Sequence, residues 1–126
     1  MTAAMKIAEY EWVSTTAYYA RYFALYALLM KIGIKSEIHD CTINVARLLA
    51  KNGVLDDRLV DDLFVAKQAR IDTQYYVATE FSTDDLEDNV AGARNFVLET
   101  EKFIDIISDK QIQTVRDQIM ALNCKK

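Results

Sequence analysis

The sequence predicts an all-α fold, an up-and-down bundle of four or five helices, and three observations carry that expectation. Proline is absent from the 126 residues and glycine occurs only three times. A β-rich chain of this length needs many tight turns and the residues that make them. Apolar residues recur at alternating steps of four and three along most of the chain, which is the spacing of one helix face. The stretches between these runs are short, and short connections join antiparallel neighbours. Hydrophobic residues make up 52% and charged residues 27%, a globular balance. The length fits one domain over residues 1–126.

The first helix is expected from about Ala3 to Ile32. One stripe along it reads Trp12, Thr16, Tyr19, Phe23, Tyr26 and Met30. A second, beside it, reads Tyr18, Tyr22, Leu25, Leu29 and Ile32. Two adjoining stripes make a helix apolar around most of its circumference, so it should be surrounded. One face can pack the bundle while the other is free for a symmetric partner. Gly33 should stop it.

The second helix is expected from Ser36, a good N-cap, to Lys51, with Ile38, Cys41, Val45 and Leu48 inward and Asn52-Gly53 ending it. The third should start near Asp56 or Asp57 and carry Val60, Phe64, Ile71 and Tyr75 towards Ala78. Ser82, three residues before Asp85, approximates a capping box for the fourth. Its stripe reads Leu86, Val90, Ala93, Val97, Thr100, Ile104 and Ile107. The last, Asp109 to Leu122, shows Ile112, Val115, Ile119 and Leu122. Acidic pairs such as Asp56-Asp57 and Asp84-Asp85 fall in first turns, where negative charge suits the helix dipole.

Between Trp12 and Met30 the only charge is Arg21, a length that could nearly span a bilayer. Its four tyrosines, however, lie in the middle, whereas membrane helices keep tyrosine at their ends; no membrane association is expected. The first residues, MTAAMKIAEYEW, hold Lys6, Glu9 and Glu11 and no apolar signal core. Cys41 and Cys124 are too few for a disulfide framework. Free thiols and a cytoplasmic location are the expectation. The net charge of −4 opposes general binding to a phosphate backbone.

Sequence motifs for catalysis are sparse. Gly33, Gly53 and Gly92 are isolated, so there is no phosphate loop. His39 is the only histidine; no triad, zinc set or Glu-x-x-His di-metal motif can be assembled. No metal and no cofactor are expected. Two polar groups stand out. Ser36-x-x-His39 sits at the start of helix two, where a turn residue beside a cap is the plainer reading. Arg70, Asp72, Tyr75 and Tyr76 sit on helix three; Asp72 shares a face with Tyr75 and Tyr76, and Arg70 points elsewhere.

The run Ala17-Tyr18-Tyr19-Ala20-Arg21-Tyr22-Phe23-Ala24-Leu25-Tyr26-Ala27-Leu28-Leu29, followed by Gly33 and His39, resembles the central signature of HEPN proteins. Ala69-Arg70-x-Asp72 followed by Tyr75 resembles a later stretch of the same family. The likeness covers roughly residues 10 to 107 and is strongest to small stand-alone prokaryotic members. It implies a homodimeric bundle that binds nucleotide or RNA beside a nucleotidyltransferase partner, of toxin–antitoxin or substrate-binding type. Its implied binding residues are Arg70, Asp72, Tyr75, Tyr76, His39 and Tyr19. The alternatives are a metal-independent ribonuclease or a purely structural interaction bundle. Active relatives carry Arg, four to six residues, then His; here Tyr75 or Tyr76 takes the place of that His. Catalytic candidates are therefore Arg70, Asp72, Tyr75 and His39, and the enzyme question leans towards no.

Overall fold

The computed structural model describes residues 3–34, 41–75 and 83–122, with side chains at 8–34, 41–71, 84 and 86–122. Five helices follow in order: α1 (Ala3–Ile32), α2 (Thr42–Lys51), α3 (Asp57–Tyr75), α4 (Thr83–Ile106) and α5 (Asp109–Ala121). No strand occurs among the described residues, and the all-α bundle is as expected. At 1.5 Å per residue, α1 is about 45 Å long and packs against α3, α4 and α5, while α2 packs against α3 and α5.

The helix ends follow from local chemistry. Gly33 takes φ 102°, and the Ile34 N–H donates to the Leu29 carbonyl at 2.8 Å while Gly33 donates to Met30. This is a Schellman closure, with Leu29 and Ile34 both buried in the core. Gly53, φ 72°, ends α2 the same way through Val54 N–H to Leu49 and Gly53 N–H to Ala50. The Arg116 guanidinium from α5 donates through Nε and Nη2 to the Ile32 carbonyl at 2.9 and 2.6 Å, placing positive charge at the C-terminus of α1. Asp56 accepts the Arg58 N–H at 2.9 Å ahead of α3. Ser108 and Gln111 form a full capping box on α5, one the Ser-x-x-Gln pattern announces.

The core unites Tyr18, Tyr22, Leu25, Leu28, Leu29 and Ile32 of α1 with Val45, Leu49, Leu63, Phe96 and Val115 from the other helices. The inner stripe of α1 is thus buried as expected, but the helix is not surrounded as its two stripes implied: Trp12, Phe23 and Met30 of the outer stripe are exposed, while Tyr19 and Tyr26 are half-buried against the core. Several inward faces differ from expectation. At α2, Cys41 and Val45 are in the core as expected, but Leu49 joins them where Leu48 is only half-buried. In α3, Leu59, Val60, Leu63 and Ala66 are inward and Phe64 is 49% exposed. In α4 Phe96 is fully buried while Val90 is exposed. Each helix carries apolar residues on two neighbouring faces, so spacing alone leaves the inward one undecided. The expected start of the second helix is corrected: α2 begins at Thr42, with Cys41 as its N-cap in a non-helical conformation (φ −132°, ψ 29°) and with no side-chain cap. Ser36 itself, the extension to Ala78 and Ser82 lie outside the described residues.

The expectation of free thiols is corrected: Cys41 is disulfide-bonded. Sequence separation carries no information on which cysteines meet in space. Among the described residues no helix is long and apolar enough to cross a membrane.

Candidate functional site

Arg21, the lone charge of the aromatic run, is 2% exposed. All five of its N–H donors are used. Nε donates to Asp62 Oδ2 at 2.6 Å. One Nη2 hydrogen meets Asp62 Oδ1 at 3.2 Å and the other the Asn89 carbonyl at 2.9 Å. Nη1 donates to Asn89 Oδ1 at 2.8 Å and the Ala17 carbonyl at 3.1 Å. One side chain thereby joins α1, α3 and α4. Gly92 makes room for it: a Cβ there would lie 2.5 Å from Arg21 Nη2 and 2.9 Å from Asp62 Oδ1. With its valences filled, Arg21 serves as a structural clamp rather than a ligand group.

Against another part of α1, a candidate cation on α3 meets other candidate residues. Arg70, half-buried on α3, sets its guanidinium carbon 5.5 Å from the centre of the Tyr18 ring and 5.1 Å from that of Tyr19. Its Nη2 donates to the Tyr19 hydroxyl at 3.4 Å. Such stacking holds a planar cation in place while leaving it charged. The Tyr18 and Tyr19 rings meet edge to face, 5.5 Å apart, and Tyr19 stacks on Phe23 at 5.9 Å and 30°. Burial pushes the Tyr18 hydroxyl above its ordinary pKa, against the opposing influence of its hydrogen bond with Thr42 and of the nearby Arg70 charge. Thr42, the first residue of α2, is fully buried, so this wall ties α1, α2 and α3 together.

Arg70 and Tyr19 are therefore brought together. Asp72 and Tyr75 lie in the last turns of α3. Their side chains, and all of His39 and Tyr76, lie outside the described residues. Tyr18 is a site residue that the sequence reading assigned to the core alone; no spacing links it to Arg70, 52 positions away by numbering. A separate open groove of about 370 Å³ between α1 and α4, lined by Glu9, Val13, Leu86, Glu87, Val90, Ala91 and Arg94, contains none of the candidates.

Fold and site together define a helical-bundle domain with an arginine mounted on an aromatic wall. The sequence matches the model of the HEPN domain family over residues 2–103, and the chain belongs to that family. No curated protein and no solved structure gives a significant match.

Proposed function

We propose that this HEPN-type bundle binds nucleotide or RNA at Arg70 and acts as a homodimer with a nucleotidyltransferase partner, in a substrate-binding or toxin–antitoxin pair. The observation that carries the reading is the Arg70 guanidinium lying over Tyr18 and Tyr19. A pre-positioned guanidinium offers paired donors to phosphate oxygens, and a tyrosine ring beside it suits an unstacked base. Family membership supports the same chemistry. The net charge of −4 favours a small ligand or a few phosphates over a long backbone.

Binding is favoured over cleavage because tyrosines occupy positions 75 and 76, at the spacing where active relatives hold histidine. A phenol with pKa of about 10 is a poor general base near neutral pH. Calorimetric titration with ATP, GTP and a short RNA tests the reading. Wild type should bind at least one, and Arg70→Ala should weaken that binding roughly tenfold, about 1.4 kcal/mol. Binding of none of the three defeats it. RNA cleavage without divalent metal, lost in Arg70→Ala, would instead establish the ribonuclease alternative.

A further inference from the structure

Cys41 precedes the first turn of α2, and its side chain does no capping: no hydrogen bond runs from it to that turn. A serine, threonine, aspartate or asparagine ordinarily holds such a turn by accepting a backbone N–H. Here the sulfur is instead in a disulfide, and the residue lies in the core, 6% exposed. A covalent link stands where the cap would be. The sequence contains two cysteines, Cys41 and Cys124, so a bond closed within one chain joins these two. Leu122, two positions before Cys124, packs against the same core cluster that holds Cys41, and α5 packs against α2.

What the link holds is the back of the candidate site. Thr42 follows Cys41 directly, is fully buried and is hydrogen-bonded to the Tyr18 hydroxyl. The Tyr18 ring faces the Arg70 guanidinium at 5.5 Å and meets the Tyr19 ring edge to face. The Tyr19 hydroxyl in turn accepts from Arg70 Nη2. A shift in the first turn of α2 therefore reaches Arg70 through Thr42 and Tyr18. The sequence beside Cys124 also suits a bond that opens. Lys125 and Lys126 follow it, and neighbouring positive charge favours the thiolate, the better leaving group in disulfide exchange.

We propose that a Cys41–Cys124 disulfide is a redox-controlled strap: closed, it fixes the first turn of α2 and holds Tyr18 and Tyr19 in place against Arg70; opened, it loosens that wall and weakens ligand binding. The proposal deepens the binding function given above and rests on it for the effect on affinity. Thr42 is then a positioning residue that acts through Tyr18. Opening is a two-electron reduction by a dithiol. One thiolate of the dithiol attacks the disulfide and forms a mixed disulfide, and its second sulfur then displaces the remaining protein thiolate. Two protons pass to Cys41 and Cys124, and the dithiol ends as its own cyclic disulfide.

The full chain is equilibrated with glutathione disulfide or with dithiothreitol. Peptide mapping should find Cys41 joined to Cys124 in the first sample and both cysteines open to alkylation in the second. Without ligand, amide exchange at Val45 and Ala46, in the first turn of α2, should speed up roughly tenfold on reduction. In calorimetric titration with ATP, GTP and a short RNA, reduction should raise the dissociation constant roughly fivefold. Oxidised Thr42→Val should bind as weakly as reduced wild type, and reducing it should add nothing, because both changes act on one contact. Cys124→Ser should bind like the reduced chain in either buffer. Absence of the Cys41–Cys124 linkage from the oxidised sample overturns the strap, and so does unchanged exchange at Val45 and Ala46. Equal affinity in both states overturns its control of the site. An equal loss on reduction in wild type and Thr42→Val overturns the route through Thr42. Failure of all three probes to bind in both states overturns the binding function and the control of affinity with it, while the exchange result judges the strap by itself.

Discussion

Arg21 on α1 meets Asp62 on α3 through two guanidinium nitrogens, with Nε and Oδ2 2.6 Å apart, and the arginine is sealed from water. Three helices converge on that pair, so its loss should be felt by the whole bundle.

Removing one partner strands the other charge. Asp62→Ala should cost about 3–5 kcal/mol, measured by urea denaturation. The pair Arg21→Met with Asp62→Leu should recover most of this loss, because no charge remains buried. A small effect of Asp62→Ala would mean that Asn89 and the Ala17 carbonyl suffice.

Gly92 should be intolerant of a methyl group for a reason peculiar to its neighbour. Glycine to alanine inside a helix ordinarily gains about 1 kcal/mol. Here the added Cβ collides with Arg21 Nη2 and Asp62 Oδ1, so Gly92→Ala should destabilise by about 1–3 kcal/mol. In the Arg21→Met, Asp62→Leu background the sign of the effect should change towards neutral, as thermal melts would record.

Arg116→Met keeps the apolar stem and removes the donors to the Ile32 carbonyl. The expected loss is about 1.5–3 kcal/mol, the usual worth of hydrogen bonds from a charged group. Amide exchange should report it first at Gly33 and Ile34, whose N–H groups close the same turn.

Tyr18 should make the fold sensitive to strong alkali. Its hydroxyl has a pKa above the ordinary 10.0, chiefly through burial, so the folded chain holds this proton where the unfolded chain releases it. The associated stability is full below pH 10 and falls as pH rises through the folded value. Tyr18→Phe should flatten that decline in a denaturation series from pH 8 upwards. An unchanged slope would assign alkaline loss to other groups.

Much of the frame was legible in the sequence. Gly33 and Gly53 were expected to close helices and both adopt positive φ. The inner stripe of α1 is buried as its spacing implies, whereas the outer stripe leaves Trp12, Phe23 and Met30 exposed on a helix expected to be surrounded. The inward faces of α3 and α4 were less readable, because Phe64 and Val90 compete with Leu63 and Phe96 on adjoining faces, and only the neighbours' shapes decide. The candidate site was half visible. Arg70 and Tyr19 were named, yet the Tyr18 contact and the Arg21–Asp62–Asn89 clamp join residues 41 to 68 positions apart. Periodicity is local and carries nothing about such distant meetings.

The Arg116 contact with Ile32 sets where this domain can be cut. The family match stops at residue 103, before α5 begins at Asp109. Yet Val115 of α5 is wholly enclosed, Ile119 lies in the core, and Arg116 closes the far end of the longest helix. A fragment trimmed to the recognised stretch would lose a wall of its interior and the cation at that terminus. The stretch that matches the family model is shorter than the folded unit, and expression limits should follow the folded unit.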